Sequence, residues 1–236
     1  PPYLRIAALR NELPGVPVIA LTASATKDVE TAIIEKLAFR DPLIFRQPYK
    51  RPALSYSYFE VESKINKTIE IINNVKGSGI VYCNTRKQTK DIAELLQLQK
   101  ISADFYHAGL SAEDRQVKQK KWMTGDTRMM VCTSAFGMGI DKDDVRTVIH
   151  YEMPDCLENY YQEAGRAGRD GKKAYAVLLA TKADITKARN LHETRFPAIE
   201  VIKNIYQSIA NYLQLPVGIG EGGYFNFNLL EFCNNF

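Results

Sequence analysis

The stretch G-I-V-Y-C-N-T-R-K-Q-T-K-D-I-A-E-L-L-Q-L-Q-K, Gly79–Lys100, sets the architecture. Gly79–Cys83 is a short apolar run, the form of a buried strand. Thr85 follows, with Gln88 three residues on, the reciprocal pattern of a capping box that opens a helix to about Lys100. The same grammar recurs on both sides. Leu54–Val61 alternates Tyr56 and Tyr58 with small or polar partners, a strand, and Ser63–Val75 is helical. Ala103–Tyr106 is a strand leading into H-A-G-L. Ser111, with Asp114 three on, caps a helix to about Met123. Met129–Cys132 and Thr147–Tyr151 are strands, and Ala174–Leu179 is the last. Strands alternating with helices predict an α/β fold, a parallel doubly wound sheet flanked by helices. Ligands of such sheets bind outside the carboxyl ends of the strands. The polar loops 22–26, 83–86, 107–109 and 132–141 are expected there.

Upstream, Pro1–Asn11 reads as helical. Val16–Leu21 (V-P-V-I-A-L) reads as a buried strand running into the small-residue loop T-A-S-A-T, Thr22–Thr26. Lys27–Leu37 is an amphipathic helix and Leu43–Phe45 a short strand. Pro48–Pro52 (P-Y-K-R-P) is punctuation and reads as a linker between two units. Downstream of Lys182 the pattern is helix only, Lys182–Glu193 and Pro197–Leu213. The glycine-rich Pro216–Gly223 and an aromatic, amide-rich tail follow.

The 236 residues carry 45% hydrophobic and 25% charged side chains, globular values that allow a sizeable core. A net charge of +4 permits nucleic acid without arguing for it. No apolar run approaches the ~20 residues of a membrane span, so no membrane partner is expected. The start has no signal-peptide pattern and no initiator Met, so the chain is expected to begin mid-protein. The four cysteines, Cys83, Cys132, Cys156 and Cys233, form no C-x-x-C. Buried free thiols at Cys83 and Cys132 fit a reducing compartment.

Asp155–Gly171, D-C-L-E-N-Y-Y-Q-E-A-G-R-A-G-R-D-G, carries the densest chemistry. Asp155 with Glu158 suggests a capped helix start, and Gly171 a helix stop. Gly165 and Gly168 then sit inside the helix, each costing ~1 kcal/mol relative to Ala. If the turns stay helical, Gln162, Arg166 and Arg169 share a face. Two guanidiniums beside thinned backbone suit a closely approaching polyanion such as triphosphate. A glycine-interrupted surface helix with solvated arginines has the same spacing. Thr133–Asp141 follows a strand and holds Gly137 and Gly139, so its backbone can approach phosphate. Asp141 can accept from a ribose hydroxyl. Cys83–Arg86 and Tyr106–Leu110 place hydroxyl, amide and imidazole groups at strand ends, suited to nucleic-acid phosphates. Thr85 caps its helix in any case, and a local turn bond is an equal account of His107. His150, inside a strand, reads as structural. His107, His150 and His192 have no metal-ligand spacing. The chain has no G-x-x-x-x-G-K-[ST] and no apolar strand ending in Asp-Glu. It offers arginines without a phosphate cradle and is not expected to hydrolyse ATP alone.

T-A-S-A-T, G-I-V-Y-C-N-T-R, Y-H-A-G-L, C-T-S-A-F-G-M-G-I-D-K and Y-Y-Q-E-A-G-R-A-G-R-D-G together resemble superfamily 2 helicases of the RecQ family, in order and spacing from Leu13 to about Leu191. DEAD-box RNA helicases carry different wording at the first and last of these motifs. The resemblance implies a RecA-like parallel sheet flanked by helices, with a short helical C-terminal extension. It implies a fragment: residues 1–50 as the remnant of a first lobe, 51–181 as the second lobe, and 182–236 as the start of a helical C-terminal region. By resemblance, Thr22, Ala23, Ser24, Ala25 and Thr26 couple ATP state to DNA binding. Asn84, Thr85, Arg86, His107, Gly109, Thr133 and Ser134 lie along DNA phosphates. Gly139 and Asp141 belong to an ATP-coupling loop. Gln162, Arg166 and Arg169 face the nucleotide, with Arg166 or Arg169 as arginine finger. The implied activity is ATP-dependent 3′-to-5′ DNA unwinding in repair or recombination, on single strands and duplex junctions, in the cytoplasm or nucleoid. ATP and Mg²⁺ are the implied cofactors, held mainly by the other lobe. A non-catalytic nucleic-acid-binding lobe and an RNA helicase are the competing readings. The family's four-cysteine zinc site has no counterpart between Pro216 and Tyr224, so no zinc is expected.

Overall fold

The computed structural model describes residues 6–13, 15–137, 140–216 and 222–235. The readings on Pro1–Arg5, on Gly139, on most of Pro216–Gly223 and on the His192 side chain lie outside the described residues. The chain divides into two compact units, Pro1–Lys182 and Ala183–Phe236.

The first unit is built on six strands. They are β1 Leu54–Glu60, β2 Ser78–Tyr82, β3 Ala103–Tyr106, β4 Met129–Cys132, β5 Val145–His150 and β6 Ala174–Ala180. The sheet order is β1-β6-β5-β2-β4-β3, and every pair is parallel. The helices between them are α3 Lys64–Asn74, α4 Arg86–Leu98, α5 Ala112–Thr124 and α6 Leu157–Ala164. The predicted capping box forms: Thr85 Oγ1 accepts from the Gln88 amide while the Gln88 side chain accepts from the Thr85 amide. Ser63 and Ser111 cap α3 and α5.

All five residues of β2 are buried, as a central parallel strand demands. Its side chains alternate between two cores. Ile80 and Tyr82 join Trp122, Met130, Cys132 and Phe136 on one face. Val81 and Cys83 join Ile72 of α3, Ile92, Ala93 and Leu96 of α4, and Val131 on the other. Trp122 is fully buried and donates its indole N–H to the Gly79 carbonyl at 3.2 Å. Burial of that size is typically worth ~3–5 kcal/mol against Ala.

Upstream of β1 the readings change. α1 Ile6–Glu12 and α2 Lys27–Lys36 form, but neither Val16–Leu21 nor Leu43–Phe45 is a strand. Ile19, Leu21, Leu43 and Phe45 are 80–91% exposed. An apolar run becomes a strand only beside a strand that satisfies its backbone, and these runs find none. Loop 22–26 consequently does not follow a strand.

The second unit holds most of α7 Lys182–Arg195, with α8 Ile199–Tyr212 and α9 Leu229–Asn235. The Tyr212, Phe227 and Phe232 rings cluster, with centroids 5.1–5.7 Å apart, and Tyr212 Oη donates to Glu231.

Candidate nucleotide and nucleic-acid site

The Asp155–Gly171 stretch is not one helix. α6 covers only Leu157–Ala164, and its N-cap is Cys156, without a side-chain cap bond, rather than Asp155. Residues 165–170 form successive turns. Gly168 adopts φ +65°, and its N–H donates to the Val145 carbonyl of β5, drawing the chain back to the sheet. A Cβ on Gly168 would lie 2.9 Å from the Ala174 methyl. The glycines therefore shape the chain after the helix instead of weakening its interior, and Gly171 ends the turns rather than a helix.

This tight return brings Arg166 and Arg169 onto the β4–β5 loop by a route other than a shared helical face. Arg166 Nη1 donates to the Gly137 carbonyl at 2.6 Å. Its guanidinium lies so close to Gly137, at φ +148°, that a Cβ there would overlap it. Arg166 Nε is buried without a hydrogen-bond partner. Arg169 donates to the Ile140 carbonyl and pairs with Asp141. Gln162, on α6, donates from Nε2 to Ser24 Oγ at 3.0 Å. The T-A-S-A-T loop thus reaches α6 through one side-chain bond. Within that loop Thr26 caps α2, Thr22 Oγ1 accepts from the Ser24 amide, the Ala25 carbonyl accepts from Tyr49, and Ala23 is exposed.

At the carboxyl ends of β2, β4 and β5 a cleft of about 250 Å³ opens, lined by Asn84, Thr133, Ser134, Glu152, Asp155 and Asn159 among others. Thr85 is committed to capping α4. Gln88 donates to Glu152 at 3.1 Å, and Lys64 pairs with the same carboxylate at 3.3 Å. A Cβ on Gly109 would lie 2.7 Å from an Arg86 guanidinium nitrogen, so the loop after β3 passes close against the Arg86 side chain at the start of α4. The His107 ring stacks obliquely near Phe105 at 5.7 Å, and its Nδ1 is buried without a partner.

Sequence reasoning missed the layer beneath this cleft. His150 is fully buried, as its structural reading expected, and bonds Glu163 of α6 at 3.0 Å. Its ring stacks on Tyr82 at 5.4 Å and meets Tyr160 at 4.7 Å. Tyr82 donates to the Phe136 carbonyl, and burial pushes its phenol well above the usual tyrosine range, with Arg166 partly opposing. Burial, with Glu152 adding, pushes the Cys83 thiol up to about 12. A polar His between Ile149 and Tyr151, placed one helix before a Glu, is the trace of this layer in the sequence. Beyond the turns, the hydrogen bond from Arg146 holds the Asp170 carboxyl below its ordinary value.

The arrangement can clasp a polyanion. Two guanidiniums sit on a loop of closely approached backbone, one with an unused buried N–H. Among the described residues, no group of three His, Cys, Asp or Glu side chains is placed to hold a metal ion. No helix of the described residues is long and apolar enough to cross a membrane.

Residues 63–171 match the helicase conserved C-terminal domain. Over 191 residues the chain is 39% identical to the ATP-dependent helicase SGS1 of Saccharomyces cerevisiae, covering 78% of this chain and 13% of that protein. Over 185 residues it is 38% identical to the ATP-dependent DNA helicase RecQ of Pasteurella multocida, covering 78% and 29%. The chain thus spans less than a third of the length of these relatives. The structure of S. cerevisiae Dbp5 bound to RNA and ADP BeF3 shares the fold, with a TM-score of 0.65 at 17% identity over 81% of this chain and 52% of that one. The six-stranded sheet is that of a RecA-like helicase lobe. Residues 63–171 are thus similar to the helicase conserved C-terminal domain, and over 78% of its length the chain is similar to helicases of the RecQ family.

Proposed function

We propose that this chain is the second motor lobe of an ATP-dependent DNA helicase that travels 3′-to-5′ and serves DNA repair or recombination. In this reading residues 51–181 form the lobe, 1–50 are the C-terminal part of the first, and 182–236 open the helical region that follows. The observation that carries it is the convergence of Arg166 and Arg169 on loop 133–141 in a chain with no phosphate cradle of its own. Such arginines complete a triphosphate site whose lysine and Mg²⁺ ligands stand on another lobe. When bound, ATP supplies the phosphoryl group whose cleavage drives movement. This chain's part is to offer positive charge where charge develops in the transition state. Gln162 reports to loop 22–26 through Ser24, linking nucleotide state to that loop. Asn84, Thr85, Arg86, His107, Gly109, Thr133 and Ser134 line the strand ends over which single-stranded DNA passes, its phosphates met by hydroxyls, amides and Arg86.

Unwinding by the full-length protein tests this. Duplex DNA with a 3′ single-stranded tail should be opened with ATP, and the same duplex with a 5′ tail should not. Single-stranded DNA should stimulate ATP turnover more than RNA does. Stimulation by RNA alone would transfer the assignment to RNA. Nucleic-acid binding with no ATP turnover would leave a non-catalytic lobe.

A further inference from the structure

The segment P-Y-K-R-P looks in sequence like a spacer, yet two of its side chains reach across the chain to distant partners. Arg51 Nη1 donates to the Gly165 carbonyl at 2.9 Å. Arg51 Nη2 donates to the Ala167 and Gly168 carbonyls, each at 3.0 Å. Its own carbonyl accepts from the Leu54 amide at the start of β1, so its base is anchored to the sheet. Tyr49 donates its hydroxyl to the Ala25 carbonyl at 2.8 Å. Its carbonyl accepts from Tyr161 Oη at 3.1 Å, and the two rings meet edge-on at 5.6 Å.

We infer that Arg51 is a positioning residue for phosphoryl transfer: its guanidinium holds the turn 165–168 in the shape that aims Arg166 and Arg169, and Tyr49 ties α6, the helix that leads into that turn, to loop 22–26. The chemistry explains the residue type. The carbonyls at and beyond a helix C-terminus lack intrahelical donors and carry partial negative charge. A planar guanidinium spreads its donors over a rigid fork that meets three of them at once, whereas an ammonium offers its donors from a single nitrogen on a flexible stem and cannot reproduce that spread. The acceptors are the carbonyls of the residues that flank Arg166 and lead to Arg169. A shift of the turn therefore moves both arginines. Displacements of about 1 Å at reacting groups cost about 100-fold in rate. Tyr49 extends the effect of the segment further. The loop that Gln162 touches through Ser24 is also held by Tyr49, which bonds Tyr161, so the loop is joined to α6 at two points.

The inference rests on the proposed role of Arg166 and Arg169, and the experiment separates the two. In the full-length protein, ATP turnover with single-stranded DNA is measured for Arg51→Ala, Arg51→Lys, Arg166→Ala and Arg169→Ala, beside melting curves and DNA affinity. The Arg51→Lys variant keeps the charge and guards against a simple failure to fold. Both Arg51 variants should lose about 10- to 100-fold in kcat, with KM for ATP and DNA affinity within about threefold of wild type. Wild-type kcat in Arg51→Lys would overturn the inference. So would a loss that vanishes when the assay is cooled well below the variant's melting temperature, which is the mark of a purely structural role. If Arg166→Ala and Arg169→Ala both leave turnover intact, the nucleotide-site reading falls and Arg51 falls with it. If they abolish turnover while the Arg51 variants match wild type, the positioning role alone is wrong.

Discussion

A guanidinium keeps its charge at any ordinary pH and brings five donors in a fixed plane. This chain uses that plane repeatedly on backbone carbonyls. Arg128 takes the carbonyls of Ile72, Val75 and Gly77, fastening the end of α3, while Arg51 and Arg166 treat the turns around α6 and loop 133–141 in the same way. The motif residues of the site were legible because spacing and type name them. Their partners were not, because a carbonyl leaves no mark in a sequence and Arg51 stands far along the chain from those it holds. Two outcomes belong at this scale. Cys83 and Cys132 are buried, whereas Cys156 and Cys233 are exposed, and burial keeps the first two thiols protonated. A thiol reagent at neutral pH should label two cysteines rapidly in the folded chain and all four in denaturant; rapid labelling of four in the native state would contradict the packing. Asp170, held low by Arg146, stabilises the fold above the unfolded carboxyl value of about 4, and that contribution fades as pH falls through its depressed folded value. The melting temperature of wild type should exceed that of Asp170→Asn above a pH of about 4, and the gap should close below it.

At the scale of elements, strands and helices with their own punctuation were legible: Thr85 and Ser111 each cap the helix that their spacing predicts, and Ser63 caps the helix read from Ser63–Val75. Two errors share one physical cause. Val16–Leu21 has a strand's composition but no neighbour to pair with, and Asp155–Gly171 has a helix's punctuation but a competing bond from the Gly168 amide to β5. In both, a partner distant in sequence decided the local structure. The turn at Gly168 can be probed directly. A non-glycine residue in the left-handed region costs ~1–2 kcal/mol, and the Ala174 methyl at 2.9 Å adds to it. Urea unfolding should show Gly168→Ala losing at least ~1 kcal/mol, more than Gly165→Ala at φ −63°. Equal losses would mean the turn is not constrained as described.

For the whole molecule, the first unit is a covered sheet with a polar rim at its strand ends and an exposed apolar stretch upstream of it. Ile19, Leu21, Leu43 and Phe45 face solvent, and so does Gln162 beside loop 22–26. In the proposed reading, this rim offers cations to a nucleotide that another lobe cradles. The parallel sheet was readable from the β–α repeat, and the rim from its motifs. The convergence of both arginines on loop 133–141 was not, since it depends on the turn that ends α6. In the proposed reading, this convergence makes the chain half of an ATP site. The measurement that bears on it most directly is ATP turnover by the full-length protein, with saturating single-stranded DNA, after Arg166→Ala and Arg169→Ala. An arginine finger is typically worth about 10³–10⁵ in rate. At least one of the two variants should therefore lose about 1,000-fold or more in kcat while its melting temperature and DNA affinity stay near wild type. Turnover within about threefold of wild type in both variants would contradict the account.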